Sequence, residues 1–274
     1  MENFALTFLR NPEAIANDKY PVPFVFQHTE AARLQWSVKL SNYTVSQTQK
    51  IETLKKSLNR IELSALTKNR LERQLAAETQ SLQQFKGLID PFEFSSNSNQ
   101  TQSSLHHRIP SRQHFGSYYQ NIFRDWVWGD EENKIYGDLL KKLTLNEGTA
   151  LIIGGGAGKL LYDLRKLKPK LQIIQIDINP LLSVIGQKIN FGEEVEFTET
   201  AQFYIHADKC AETHVLRAEK ITSAPFQFVV GDILENPFQD FAFDAVICPW
   251  VIDILPENLS DFSKRLNFLL KPEA

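Results

Sequence analysis

The stretch Ala150-Leu151-Ile152-Ile153-Gly154-Gly155-Gly156-Ala157-Gly158-Lys159-Leu160-Leu161 constrains this chain more than any other. A short apolar run enters a glycine cluster and an amphipathic segment leaves it. This is the sequence form of a strand, a tight turn and a helix. Glycine lets a backbone come close to a ligand and lets a turn take positive φ. The helix that follows presents unpaired N–H groups and the positive end of its dipole. A ligand site is therefore expected at Gly154, Gly156 and Gly158.

About 19 residues beyond Gly158, the apolar run 171–176 ends in Asp177, and an acid at the tip of a second strand can accept from two ribose hydroxyls. The spacing fits a dinucleotide fold, but the glycines do not. Reading G-x-G-x-x-G from Gly154 puts Lys159 where the third glycine belongs, whereas G-x-G-x-G fits.

Composition narrows the setting. A net charge of −3 over 274 residues offers no general attraction to nucleic acid or membrane. Residues 1–113 sum to about +4 and residues 114–274 to about −7, which separates two regions without naming a partner. The two cysteines, Cys210 and Cys248, suit a reducing compartment. Met1-Glu2-Asn3-Phe4 is not the basic start of a signal peptide, and no run approaches the ~20 apolar residues of a membrane span. A cytoplasmic location is expected.

Taken in order, 1–27 begins with a short amphipathic segment, and Pro21 and Pro23 then force the chain to run extended. From Pro23 to Pro91 there is no other proline and Gly87 is the only glycine, so long helices are predicted. Ile51, Leu54, Leu58 and Ile61 form one stripe, and Leu71, Leu75, Leu82 and Phe85 a second. A register shift at 64–69 makes either a helical hairpin or one long helix. Packing on the chain's own second half is favoured over a coiled-coil partner. Residues 95–104 are polar and low in complexity and read as a linker. The expected division is a helical region at 1–94, a linker at 95–113 and an α/β domain at 114–274.

In 114–129 a helix would put Tyr119, Phe123 and Trp126 on one face, with Arg124 nearly beside them. Asn179-Pro180 should start a helix. Residues 190–224 exceed a plain connection and predict an insertion over one end of the sheet. His206, Cys210 and His214 recur at every fourth position and would align on a helix, but no fourth ligand motif accompanies them, and no metal is expected. The runs 226–230, ending in Gly231-Asp232, and 243–248, leading to Pro249-Trp250-Val251-Ile252-Asp253, read as further strands. An amphipathic helix over 259–270 follows, then Lys271-Pro272.

These elements, in this order, resemble the class I S-adenosylmethionine (SAM) methyltransferases. A narrower resemblance, over about 114–272, is to the carnosine N-methyltransferase family. Ile122-Phe123-Arg124-Asp125-Trp126 is similar to its Phe-Val-Arg-Asp-Trp-like element, Trp250-Val251-Ile252-Asp253 to its Phe-Phe-Ile-Asp, and Phe203-Tyr204-Ile205-His206 faintly to its Tyr-x-x-x-His patch. The resemblance implies a Rossmann-like sheet and SAM as cofactor. It implies that Arg124 binds the SAM carboxylate and that Asn121 contacts SAM where the family has a glutamine. Asp177 would hold the ribose, Asp232 with Ile233 the adenine, and Cys248 would border the methyl group. Asp253 would orient a substrate nitrogen, beside an apolar or cation–π wall from Trp250. Cys248-Pro249-Trp250 also resembles an Asn/Asp-Pro-Pro-aromatic motif without its first polar residue. The sequence ends at Ala274, before the fifth strand and closing hairpin of such folds. The fourth strand is then expected to be an open edge, available to a protein partner, a second copy or the extended 22–26 segment.

The function expected is N-methylation of an imidazole- or amine-containing small molecule or peptide. Its rival is a SAM-binding or partner-binding module without catalysis, using the N-terminal helices or the open edge. An NAD-dependent oxidoreductase is disfavoured by Lys159, and a nucleic-acid methyltransferase by the acidic second half.

Overall fold

Apolar residues at consecutive positions in 149–153, 171–176 and 226–230 must be buried on both faces of a sheet, which requires helices on each side. The computed structural model describes residues 4–10, 13–15, 24–26, 30–60, 62–89, 120–201, 206–235, 237–249, 251–255 and 258–272. In chain order it begins with β1 (Glu13–Ile15), β2 (Phe24–Phe26), α1 (Glu30–Leu58) and α2 (Ala65–Ile89). Next come α3 (Asn121–Phe123), a π-helical turn at Arg124–Trp128, and α4 (Asp130–Lys141). The alternating part is β3 (Glu147–Ile153), α5 (Lys159–Leu167), β4 (Lys170–Asp177) and α6 (Pro180–Asn190). It continues with β5 (Val195–Thr200), β6 (Ala211–Leu216), β7 (Phe226–Val230), β8 (Ala245–Ile247) and α7 (Leu259–Leu269).

The chain divides into two compact units, one of residues 1–29, 121–193 and 217–274, the other of residues 30–120 and 194–216. The first holds a six-stranded sheet of order β1-β2-β7-β4-β3-β8. Strands β2, β7, β4, β3 and β8 run parallel, and β1 is antiparallel to β2. This is the Rossmann-like α/β arrangement that the sequence predicts. Alternation along each strand divides the side chains between two cores. Leu151, Ile153, Ile174, Ile176 and Val229 pack with Phe243, Phe262 and Leu269 on one face. Ala150, Ile152, Ile173 and Phe228 pack with Leu161 and Leu164 of α5 on the other.

The first residues of the chain belong to this unit rather than to a helical region. Leu9 bridges Phe238, the Arg10 guanidinium bonds the Phe238 carbonyl and Asp240 at 2.6 and 2.7 Å, and Phe8 stacks on Phe243 at 5.8 Å. Part of the proline-bounded extended segment, Phe24–Phe26, does join the sheet, but beside β7, at the opposite end from β8. Past α7, Leu270 forms one parallel bridge to Phe243, and Lys271 reaches Asp244 at 2.8 Å.

In the second unit α1 and α2 form a hairpin, settling the choice at 64–69, and the antiparallel pair β5–β6 packs against α2. The insertion after α6 is thus a β-hairpin grouped with the helices. Gln84 holds it by accepting from the Thr198 N–H at 2.9 Å and donating to Glu196 at 2.8 Å. Between the helices, Lys50 meets the buried Glu78 at 2.6 Å. Burial, with the Glu78 charge second, pushes the Tyr43 hydroxyl up to about 12. The linker expected at 95–113 and the hydrophobic position Ile61 lie outside the described residues.

Two glycines should respond oppositely to alanine. Gly158 has φ +77°, and a Cβ there would stand 2.6 Å from the Phe228 ring and 2.8 Å from Asn190 Nδ2. Gly158→Ala should destabilise by about 2–4 kcal/mol through left-handed strain and overpacking. Gly137, inside α4 with nothing within 4 Å of a new Cβ, should gain about 0.5–1 kcal/mol from the same change. Urea unfolding of the two variants measures the difference.

Candidate functional site

Parallel register brings the strand ends to one level. Ile153 pairs with Ile176, Ile152 with Ile247, and Asp177 with Val230. Gly154, Asp177, Gly231 and Cys248 therefore emerge together at the carboxyl edge, where open α/β sheets take their ligands.

The loop between β3 and α5 is built by alternate glycines, Gly154, Gly156 and Gly158, all at positive φ. They serve different ends. A Cβ on Gly154 would strike Val251, and one on Gly158 would strike Phe228 and Asn190, so both sit tightly packed. A Cβ on Gly156 would meet only Asp125 Oδ2, at 3.8 Å. Gly156 is the open face of the loop.

Four side chains from three elements, β4, the π turn and α6, hold this loop. Gln175 Nε2 donates to the Gly156 carbonyl at 2.8 Å, and Trp126 Nε1 to the Ala157 carbonyl at 3.0 Å. Asn190 Nδ2 donates to the Gly158 carbonyl at 3.1 Å, and the Gly156 N–H donates to Asp177 Oδ2 at 3.0 Å. Helix α5 starts at Gly158 with no side-chain cap. Its first residue, Lys159, turns to both oxygens of Asp163 at 2.7 and 2.6 Å and lies 5.8 Å from the Trp126 ring centroid. Neither Gln175 nor Asn190 was marked by a motif. The signal was there in Gln175, a polar residue inside an apolar strand.

Asp177 is buried, and its other oxygen accepts from the Asn179 N–H at 2.8 Å. Burial pushes its carboxyl up to about 6, against the opposing pull of N–H donors from Asn179, Gly156 and Ile178. Asn179 in turn caps α6, with Pro180 at its first turn, as expected. Asp232 is buried just past β7 and accepts from the Leu234 N–H at 2.9 Å, with Ile233 buried beside it. Cys248 is half-buried, and desolvation pushes its thiol up to about 11. Val251, packed on Gly154, carries an exposed turn that holds Asp253. Trp250 and residues 203–205 lie outside the described residues.

Of the helix considered for 114–129, the described part, 120–129, forms a short α3 and a wider π turn, closed by the Gly129 N–H on the Arg124 carbonyl at 2.6 Å. Phe123 is buried, whereas Trp126 is spent on the loop and Trp128 is exposed, so they do not form one core face. Tyr119 lies outside the described residues. Asn121 sits half-buried one turn before Arg124. Arg124 Nε and Nη2 both reach Asp125 Oδ1, at 2.8 and 2.7 Å, and Nε lies 3.6 Å from Glu132. Burial pushes the Asp125 carboxyl up, with Arg124 pulling it down.

The aligned His206, Cys210 and His214 do not form. Cys210 is buried, His206 is exposed, and His214 lies on β6 with Nε2 3.0 Å from Glu199. A strand sends alternate residues to opposite faces, so a four-residue repeat has no helix to align it. Among the described residues no group of three metal-ligating side chains comes together, and no helix is long and apolar enough to cross a membrane.

The side chains at this edge are mainly acceptors, the kind to which a ligand's hydroxyls and amines donate. Gly156 offers backbone to open space, two acids stand at neighbouring strand ends, and among the described residues the buried Gln175 Oε1 has no hydrogen-bond partner. The raised Asp177 acid has a pH signature. Below about pH 4 it is protonated folded and unfolded alike, and contributes nothing. Between there and about 6 the unfolded chain ionises first, so stability falls as pH rises and then levels off. Wild type should lose on the order of 2 kcal/mol relative to Asp177→Asn across that window. An offset between the two that stays constant from pH 4 to 7 overturns the assignment.

Among curated proteins no sequence matches. The chain is similar to a structure from Methanococcus maripaludis assigned as an S-adenosyl-L-methionine-dependent methyltransferase, with 16% identity, 60% of this chain and 64% of that one covered, and a TM-score of 0.40. It is also similar to phosphoethanolamine N-methyltransferase 2 of Haemonchus contortus, with 17% identity, 57% and 30% covered, and a TM-score of 0.37. For human N-acetylserotonin methyltransferase the values are 17%, 73% and 49%, and 0.36. The chain thus spans between about a third and two thirds of these structures. Neither the family model nor these structures support the carnosine N-methyltransferase family. Residues 194–274, from β5 through β8 and α7, match the family model described as a methyltransferase domain.

Proposed function

We propose that this protein is a SAM-dependent N-methyltransferase that transfers a methyl group directly to an imidazole- or amine-containing small molecule or peptide. The observation that carries the reading is the open backbone at Gly156, set beside Asp177 and level with the ends of β7 and β8. The methyltransferase-domain match over 194–274 supports it. The narrower likeness to carnosine N-methyltransferases rests on the sequence motifs alone.

In this reading Asp177 accepts from the ribose diol and Asp232, with Ile233, faces the adenine. Arg124 and Asn121 take the carboxylate end of the cofactor. Cys248 lines the methyl side as an un-ionised thiol. When bound, SAM supplies an electrophilic methyl on sulfur. The protein's part is to align a nitrogen lone pair behind it and to exclude water. Asp253 accepts the N–H of the substrate, so that the opposite nitrogen presents its lone pair, and Trp250 walls the approach.

Calorimetry with SAM and with NAD tests the cofactor. SAM should bind and NAD should not, and Gly156→Val should weaken SAM at least tenfold by filling the open face. With imidazole dipeptides as acceptors, Asp253→Asn should lower turnover by about 100-fold, within the range of positioned acid–base groups. Its SAM affinity should stay unchanged. Unaltered turnover removes Asp253 from the reaction. SAM binding without transfer to any amine favours the non-catalytic module.

A further inference from the structure

We propose that Asp125 is the ligand for the ammonium group of the cofactor's amino-acid tail, so that Arg124 and Asp125 together recognise a zwitterion. The proposal rests on the SAM reading above and extends it to a residue that neither motif nor comparison assigns.

The two oxygens of Asp125 have different fates. Oδ1 takes both Arg124 contacts, at 2.8 and 2.7 Å. Oδ2 points to the glycine loop, 3.8 Å from where a Cβ on Gly156 would stand. Among the described residues no hydrogen-bond donor reaches Oδ2. The Asp125 side chain is 14% exposed, so Oδ2 keeps some solvent access but few waters to compete with a ligand. A partly desolvated carboxylate oxygen gains more from a cationic donor than an exposed one does.

The position of Asp125 is built rather than incidental. Trp126, the next residue, is hydrogen-bonded to the loop at the Ala157 carbonyl, and Asn133 Nδ2 holds the Asp125 carbonyl at 2.9 Å. The π turn closed by Gly129 supplies the local geometry, and π turns occur often at functional sites. Asp125 also lines a small cleft with Asn133, Tyr136, Gly155, Lys159 and Asp163. The nearby cation, Lys159, is already bound to both oxygens of Asp163.

An adjacent guanidinium and carboxylate form the electrostatic complement of an α-amino acid, whose carboxylate and ammonium are likewise adjacent. A lone arginine would recognise any acid. The pair discriminates for the amine as well, because removing the ammonium leaves Oδ2 desolvated without a partner.

Calorimetry with three thioether probes tests this. S-adenosylhomocysteine carries the full tail, its deaminated analogue carries the carboxylate only, and methylthioadenosine carries neither group. Wild type should bind S-adenosylhomocysteine at least tenfold more tightly than the deaminated analogue. Asp125→Asn should abolish most of that difference and leave methylthioadenosine unchanged. Equal wild-type affinity for the first two probes overturns the proposal without needing a variant. So does a substitution that weakens all three probes alike, which marks a structural role, or one that weakens none. If wild type binds none of the probes, the SAM reading itself fails, and that result differs from every other outcome.

Discussion

The hydrogen bond from the Gly156 N–H to the buried Asp177 carboxylate ties the parts of this site together. It joins the end of β4 to the turn after β3, and it requires the two strands to be adjacent, parallel and in register. Once the turn is held, the remaining contacts follow. Gln175, two residues before Asp177 on the same face of β4, reaches the Gly156 carbonyl, and the Gly154 N–H takes the Ile176 carbonyl at 2.8 Å. The bond has a cost, because Asp177 must lose its water. Three backbone donors offset part of that cost, and the carboxyl remains easier to protonate than an ordinary one.

The sheet that fixes this register is completed from unexpected directions. Residues 24–26 extend it beside β7, and residues 8–10 are tied to 237–239 through backbone bonds and Arg10. Neither contact has a local signature. Phe8, Leu9 and Phe243 are simply apolar residues until a fold brings them within stacking distance. The same holds for the hairpin β5–β6. Its length marked it as an insertion, while its grouping with α1 and α2 depends on contacts such as Gln84 with Thr198, separated by 114 residues.

The site was partly legible for a physical reason. Positive φ at Gly154, Gly156 and Gly158 is a backbone demand that few residues other than glycine meet, so it leaves a mark on the sequence. An acid at a strand end is equally visible at Asp177. By contrast, Asp125 stands in a motif that drew attention to Arg124, and nothing local says that one of its oxygens turns to Gly156. Helical spacing puts Trp126 on one face with Phe123, but the π turn at Arg124–Trp128 brings the indole onto the loop carbonyl of Ala157.

The sequence by itself determined the elements whose cause is local. These are the strand-loop-helix at 147–167, the acid at the end of β4, the Asn179-Pro180 start of α6, and the helical character of the stretch between Pro23 and Pro91, whose division into two helices the sequence left open. Periodicity, glycine chemistry and capping act over a few residues, and so they can be read along a chain. Tertiary structure alone decided which edge the N-terminal strands joined, which unit received the insertion, and which oxygen of Asp125 was left facing the loop. Those outcomes depend on pairing between residues far apart in sequence, where many partners satisfy the same pattern. Only simultaneous burial and hydrogen-bond satisfaction across the whole sheet selects among them.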